Sequence, residues 1–116
     1  MHELSITNDI VTTVLETAKK HGANRVVTVF LRIGAMRDLV PDWMQRYFDY
    51  CSKGTAAEGA RLQIESIPVT LACQHCGLVF KADVRSPGDI RCQRCGALEA
   101  KVKTGMELRI ERIQVQ

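Results

Sequence analysis

Two short cysteine motifs constrain this chain more than any other feature of its sequence. The segments CQHCG and CQRCG each hold two cysteines separated by two residues, and fifteen residues lie between the inner cysteines. This spacing lets a tight turn aim both sulfurs at one ion, and the glycine after each pair can take the positive φ of such a turn. Because four thiolates complete a tetrahedron, the motifs predict a closed, structural zinc site. The four predicted ligands are Cys73, Cys76, Cys92 and Cys95.

Other interpretations of the cysteines stay open at this point. The same four ligands suit a single iron ion in an electron carrier, which would be coloured. A thioredoxin-like role is disfavoured, because neither motif is predicted at the start of a helix that follows a strand. His75 lies inside the first motif and offers an alternative ligand, although an exposed turn residue explains it more simply. Cys51 lies on the apolar stripe of a predicted helix and is interpreted as a core residue.

Length and composition exclude several classes of protein. The chain has 116 residues, enough for one domain with a modest core. No run approaches the roughly 18 apolar residues that a membrane span needs, and His2, Glu3 and Asp9 interrupt the pattern of a signal peptide. We therefore expect a cytoplasmic protein with no membrane partner. In a reducing compartment, five cysteines indicate metal binding rather than disulfides.

The formal net charge of +3 does not by itself indicate nucleic-acid binding. Residues 68–104 hold six basic and three acidic residues and so carry the entire excess. One divalent cation bound by four thiolates would reduce the charge of this segment to about +1. Of the aromatic residues, Phe80 alone lies in the segment, where it could stack on a base. We expect no nucleic-acid partner, and a zinc-ribbon module that binds nucleic acid or protein is the alternative hypothesis.

Hydrophobic periodicity predicts the elements outside residues 68–104. Apolar residues recur every three or four positions from Leu4 to Lys20, and a second helical stripe follows Pro41 and ends near Gly54. The segment RVVTVFLRIG is apolar on both faces and predicts a central strand, whereas ARLQIESIP alternates and predicts a strand with one solvated face. The segment MELRIERIQV also alternates but changes phase, which a bulge near Arg112 would explain.

These elements predict an α+β fold: a small two-layer domain of two helices on a three-stranded sheet, with an inserted four-cysteine zinc ribbon. Pro68 and Gly105 mark the ends of the insertion. The predicted domains are residues 1–67 plus 105–116 for the α/β domain and residues 68–104 for the ribbon. The sequence contains no Ser/His/Asp set, phosphate-binding glycine loop or glycine-framed carboxylate pair, so we predict that the protein is not an enzyme.

The first three residues form a second candidate metal site. Methionine is normally retained before a residue as large as histidine, so we expect Met1 to carry a free α-amine. This amine can chelate one ion together with the deprotonated backbone nitrogen and the imidazole of His2, and Glu3 offers a fourth donor. Such a planar, nitrogen-rich set suits Ni(II) or Cu(II) better than zinc. On chemistry alone, a solvated histidine beside a favourable acidic residue in a first helical turn is the simpler interpretation.

A resemblance to a known family favours the metal site. The chain carries MHELSI at its start, RIGAM after the first strand, GTAAEGARLQIESIP before the cysteine motifs, and ELRIERIQV at its end. In this order, and over nearly the whole chain, these segments resemble the HypA/HybF family of hydrogenase and urease nickel-insertion proteins. The N-terminal Met-His-Glu joined to a four-cysteine ribbon is the specific part of the resemblance.

The resemblance implies a metallochaperone that helps deliver Ni(II) to the large subunit of nickel-iron hydrogenase during maturation. It implies that Met1, His2 and Glu3 surround the nickel in the α/β domain and that the four cysteines bind Zn(II). It also implies a HypB-type GTPase as partner, and a homodimer is a further hypothesis. Some family members carry a histidine directly after a cysteine pair, but glycine follows both pairs here, so we expect no exchange of cysteine for such a histidine.

Overall fold

The computed structural model describes residues 2–82 and 91–116 of the chain, with the side chain of His2 left out. The region between the two ranges, where Asp83, Arg85 and Asp89 of the charge count fall, lies outside the described residues, as does Met1. In chain order the elements are α1 (His2–Lys20), β1 (Val26–Gly34), a 3₁₀ helix (Ala35–Arg37), α2 (Pro41–Cys51), β2 (Arg61–Ile67), β3 (Thr70–Cys73), β4 (Val79–Lys81), β5 (Ala100–Thr104) and β6 (Leu108–Val115).

Contacts divide the chain into two compact units. Unit 1 combines Met1–Arg32, Leu39–Glu65 and Arg109–Gln116, and unit 2 combines Ile33–Asp38 and Ser66–Leu108. Unit 2 therefore contains the cysteine motifs together with a short stretch that follows most of β1. The roles that the sequence suggests for the two parts, nickel binding and zinc binding, stay predictions at this point.

Two helices and a three-stranded sheet confirm the predicted fold class. The strands lie in the order β2-β1-β6, so β1 occupies the centre of its sheet as predicted. Pro41 begins α2, where its missing N–H is no loss because the first amides of a helix have no partner within it. The core residues of unit 1 repeat with the expected periods of three to four in the helices and two in the strand: Ile10, Val11, Val14, Ala18, Val29, Leu31, Met44 and Phe48.

Unit 2 has a sheet of its own, which the sequence patterns did not predict. The strands β3, β4 and β5 form an antiparallel sheet in the order β4-β3-β5, and Leu71 pairs with both Phe80 and Val102. A small cluster of buried side chains, which includes Cys73 and Cys92, packs within this unit. Because this cluster contains few side chains besides the cysteines, the apolar surface that it buries is modest.

Two chain segments cross at Gly34 and Gly105 within unit 2. A Cβ atom added to Gly34 would lie 2.0 Å from the carbonyl carbon of Gly105, and one added to Gly105 would lie 2.8 Å from Cα of Val69. The crossing is closed by backbone hydrogen bonds from Gly34 N to Glu107 O (2.7 Å) and from Met36 N to Gly105 O (2.8 Å). Glycine is needed at both positions because the backbones themselves touch.

We expect Gly34→Ala to destabilise the protein by about 3 kcal/mol, because the new methyl group meets backbone atoms that cannot move aside without breaking the crossing. Gly22→Ala is the matched control: its added Cβ meets no atom within 4 Å, and only its positive φ of 66° opposes the substitution. The control should therefore cost about 1 kcal/mol. Denaturant unfolding followed by circular dichroism measures both values, and equal losses would contradict the close approach.

Among the described residues, no helix is long and apolar enough to cross a membrane.

Candidate metal centres

The two cysteine motifs form a matched pair of turns. Cys73 ends β3 and leads into a turn, and Gly77 N donates to Cys73 O at 3.0 Å. In the second motif, Gly96 N donates to Cys92 O at 2.8 Å. The glycines have φ values of 77° and 73°, the left-handed conformation that the spacing predicted. Among the described residues, β4 follows the first motif and β5 follows the second, so neither motif leads directly into the kind of helix N-terminus that activates a thioredoxin-like thiol.

The four sulfurs converge on one point. Their Sγ atoms all lie within 4.8 Å of one another, with 3.5 Å between Cys73 and Cys95 and 3.5 Å between Cys76 and Cys92. A tetrahedral zinc ion with Zn–S bonds of about 2.3 Å holds its sulfurs about 3.8 Å apart, so the cluster needs little adjustment to accept one. All four residues are free cysteines, and the sulfurs are too far apart for disulfide bonds. The donor set and its geometry thus fit zinc.

Backbone amides lower the pKa of two of the four thiols, those of Cys73 and Cys76. The amide of Leu78 lowers the pKa of the Cys76 thiol to about 6, and the amide of Cys76 lowers the pKa of Cys73. The amide of Ala97 favours the thiolate of Cys95, but hydrogen bonds with the neighbouring sulfurs, Cys73 first, and burial together raise its pKa to about 12. Ligands must be deprotonated to bind zinc, so a metal ion entering this site has to displace the proton of Cys95.

Arg94 is a neighbour of the sulfurs that the sequence motif did not single out. Its guanidinium donates a hydrogen bond to the backbone carbonyl of Cys76. A hydrogen bond with Cys76 and attraction to its thiolate, and then to those of Cys92 and Cys95, raise the pKa of Arg94. Because four thiolates around one Zn²⁺ would leave a net charge of about −2, a cation fixed beside them would stabilise a zinc-loaded site. The one feature of the sequence that pointed to Arg94 was its position between Cys92 and Cys95.

We expect Arg94→Ala to weaken zinc binding by about tenfold, since outer-shell partners of metal ligands contribute on this scale. Arg91→Ala removes the same charge one residue before Cys92, where the side chain is exposed and makes no hydrogen bond or ion pair with the described residues, and it should leave the affinity unchanged. Competition with a chromophoric chelator measures both affinities. An equal loss in the two variants would mean that net charge matters and the contact with Cys76 does not.

Two of the candidate nickel ligands, His2 and Glu3, belong to the start of α1. The helix begins at His2, two residues earlier than the apolar stripe predicted, and Glu3 is the acidic residue of its first turn. Met1 and the side chain of His2 lie outside the described residues. The first amides of a helix have no acceptor within the helix, so the backbone nitrogen of residue 2 is not committed to a helical hydrogen bond.

Comparison with known proteins decides the family. A family model described as "Hydrogenase/urease nickel incorporation, metallochaperone, hypA" matches residues 1–115. The chain belongs to the HypA family. A hydrogenase maturation factor HypA from Roseiflexus sp. is 39% identical over 117 residues, covering 100% of this chain and 93% of that protein. Another, from Nostoc sp., is 40% identical over 116 residues, with 100% and 96% covered.

The fold agrees with this assignment. A solution structure of a HypA protein superposes on this chain with a TM-score of 0.77 and covers 100% of this chain and 97% of the other, at 24% sequence identity. The family match confirms the resemblance inferred from the sequence segments, and the zinc-ribbon binding module is not favoured. The chain thus belongs to a nickel metallochaperone family, and its four-cysteine cluster is a metal-binding arrangement that fits this family.

Proposed function

We propose that this member of the HypA family binds Ni(II) at its N-terminus and helps deliver it to the large subunit of nickel-iron hydrogenase. The observation that supports this most strongly is the match to the HypA family over residues 1–115, since it includes the Met-His-Glu start and the four-cysteine ribbon in one alignment. Nickel is the cargo in this proposal, and zinc is resident. Urease is a second client that the family description allows.

The nickel site in this proposal is a chelate of Met1, His2 and Glu3. The α-amine, the backbone nitrogen of residue 2 and the imidazole supply three nitrogen donors, and the amide or carboxylate of Glu3 supplies the fourth. The position at the start of α1 supports the chelate, because the amides there are not held by helical hydrogen bonds. The helix dipole opposes a bound cation, and deprotonation of a backbone nitrogen supplies the compensating negative charge. Because the helix dipole opposes the bound ion and the deprotonated nitrogen attracts it, the site suits an ion that is bound and later released.

The zinc site in this proposal is structural. Cys73, Cys76, Cys92 and Cys95 would hold Zn(II) with no open position for water or substrate, and the ion would tie the two turns of unit 2 together. Because the apolar cluster of unit 2 is small, a bound metal ion would contribute a large share of the stability of this unit. A colourless, zinc-loaded protein would also dismiss the iron alternative.

In this proposal the protein binds the metal ions, and its partners carry out the catalytic steps. We assign GTP hydrolysis to a HypB-type GTPase and place the protein in the cytoplasm as a non-enzyme. The family's role in hydrogenase maturation implies contact with maturation partners, and the hydrogenase large subunit is the proposed recipient of nickel.

Deletion of the gene from its host tests the proposal. The expected result is hydrogenase large subunit that lacks nickel, with restoration by the native gene and no restoration by a gene that carries His2→Ala. A His21→Ala gene is the matched control and should restore nickel insertion, because His21 follows the last residue of α1. Normal nickel content in the deletion strain would overturn the proposal, and urease activity in the same strains reports on the second client.

A further inference from the structure

We propose that a cavity on the sheet of unit 1 binds a small organic carboxylate. The cavity has a volume of about 270 Å³, which admits a molecule smaller than most drug-sized ligands. All three strands line it: β1 through Phe30 and Arg32, β2 through Ile64 and Glu65, and β6 through Arg112. These residues all belong to unit 1 and to neither of the candidate metal sites, so the inference is independent of the nickel proposal.

The central strand β1 directs Phe30 and Arg32 to the face of the sheet that points away from the core. Val29 and Leu31 are buried in the core of unit 1. Successive side chains of a strand point to opposite faces, so Phe30 and Arg32 share the other face. Both of them are half-buried. The cavity thus combines an aromatic ring with a cation from the same strand.

Arg112 is held in place by this ring and not by a carboxylate. Its Cζ atom lies 3.8 Å from the centre of the Phe30 ring, which is a cation–π contact. A guanidinium over a ring keeps the N–H donors at its edge available. Among the residues that the structure describes, Arg112 makes no ion pair or hydrogen bond. Its position is therefore fixed while its donors stay open to a ligand.

Arg32 supplies a second cation whose hydrogen bonds are incomplete. Its Nε lies 3.6 Å from Oε2 of Glu65, close enough for an ion pair but too far for a hydrogen bond. This Nε is buried and has no hydrogen-bond partner, so the terminal amino groups are the part of the guanidinium that a ligand can reach. Buried polar groups normally have a partner. A carboxylate at the terminal amino groups would give Arg32 hydrogen bonds that Glu65 does not supply.

The charges at the cavity leave one cation without a counterion. Two glutamates face three arginines there: Glu65 and Glu111 against Arg32, Arg109 and Arg112. Glu65 pairs with Arg32, and Oε2 of Glu111 lies 3.3 Å from Nε of Arg109. The group therefore has a net charge of +1, which belongs to Arg112. A ligand with one negative charge would neutralise it, and the pairing would be a charge-assisted hydrogen bond.

The donors and the apolar lining together favour a carboxylate among the anions of single charge. The planar fork of a guanidinium matches the two oxygens of a carboxylate. Phe30 and Ile64, two half-buried apolar residues, also line the cavity. An alkyl chain gains free energy by covering such apolar surface, whereas a hydrated inorganic anion does not. The fitting ligand is therefore a short-chain monocarboxylate, with its oxygens at Arg112 and Arg32 and its chain on the apolar lining.

The small number of contacts sets the expected affinity. Two charged hydrogen-bonding groups and a short apolar contact correspond to a dissociation constant of about 1 mM for a four-carbon monocarboxylate. Butyrate has two methylene groups more than acetate, and their burial should make its binding about tenfold tighter. This ratio distinguishes a site that uses both parts of the ligand from one that attracts charge alone.

An NMR titration of the full-length, zinc-loaded, isotope-labelled protein with sodium butyrate tests the proposal. Sodium acetate, sodium phosphate and sodium chloride are compared at equal ionic strength. The expected result is a saturable shift of the amides of residues 30–32, 63–65 and 111–112, which line the cavity. Butyrate should bind about tenfold more tightly than acetate, and phosphate and chloride should cause no saturable shift of these amides.

Three variants of exposed residues assign the contacts. Arg112→Gln removes the cation without a counterion and should weaken butyrate binding by about tenfold or more. Arg61→Gln is the matched control, because it removes the same charge from β2 at a position that does not line the cavity, and it should leave the affinity unchanged. Glu65→Gln releases Arg32 from its ion pair and should strengthen butyrate binding by about threefold, a gain that loss of folding cannot produce. Zinc content and circular dichroism confirm that each variant is folded.

Each of four results would overturn the proposal. The first is the absence of a saturable shift of the cavity amides with butyrate up to about 20 mM. The second is an equal loss in Arg112→Gln and Arg61→Gln, because net charge alone would then explain the binding. The third is a saturable shift of the same amides with phosphate or chloride, or equal affinities for acetate and butyrate, since the cavity would then take anions in general. The fourth is weaker or unchanged binding in Glu65→Gln, which would exclude Arg32 as a contact.

Discussion

His2→Ala should abolish tight nickel binding and leave zinc content and melting temperature nearly unchanged. Outer-shell partners of metal ligands contribute about tenfold to about 100-fold in affinity, so the loss of a direct imidazole ligand should cost more than about 100-fold. Among the described side chains of the first turn of α1, none belongs to the buried core of unit 1, so we expect this core to stay intact in the variant. Calorimetric nickel titration, zinc analysis by mass spectrometry and thermal unfolding measure the three quantities.

His21→Ala is the matched control for this experiment. It removes the same side chain just beyond the other end of α1, at an exposed position, and should bind nickel like the native protein. If His2→Ala lost zinc together with nickel, the two metals would share one coupled site. If it bound nickel normally, the imidazole would not be a ligand.

Cys95→Ser should release zinc and loosen unit 2, while unit 1 stays folded. The change leaves three thiolates where a structural zinc site needs four ligands, and metal binding contributes about 10 kcal/mol or more to small domains of this kind. Unit 1 keeps its own buried core of helix and strand residues, which does not include the cysteine cluster. Hydrogen exchange resolves the two responses: amides of β3 and β5 should lose protection, and amides of α1 should keep it.

Cys51→Ser separates the loss of a ligand from the loss of a thiol. Cys51 is half-buried in α2 and lies outside the cluster of four sulfurs, so its replacement should leave the zinc content at one ion per chain. Unfolding of the whole chain by Cys95→Ser would contradict the independence of the two units. Retention of zinc by that variant would contradict the four-cysteine site itself.

Side-chain periodicity predicted the elements of unit 1 because each of them buries one face. The apolar stripe after Pro41 corresponds to α2, and the alternating segment after Ala60 corresponds to β2. The spacing of the cysteines predicted their convergence because two residues between ligands leave few turn geometries that serve one ion. These features depend on neighbouring residues in the sequence, which is why they can be predicted without the structure.

Features that depend on distant residues were not predicted. β3, β4 and β5 have three to five residues each, too few for a periodic signal, and their pairing joins Leu71 to Val102 across the chain. In the sequence, Gly105 marks the end of the insertion. In the structure it also lies in close contact with Gly34, and no local sequence pattern predicts this contact. Arg94 acts on Cys76 through the folded turns, so its role also required the structure.

The proposal that the N-terminus binds nickel is tested most directly by moving the α-amine alone. Calorimetric titration with Ni(II) compares tag-free protein that begins at Met1 with a copy that carries one additional N-terminal glycine. The extension keeps every side chain and displaces only the amine from the chelate. We predict that the native chain binds one Ni(II) with a dissociation constant of about 1 µM or lower and that the extended chain does not. Equal binding by the two proteins would exclude the amine as a ligand and contradict the chelate.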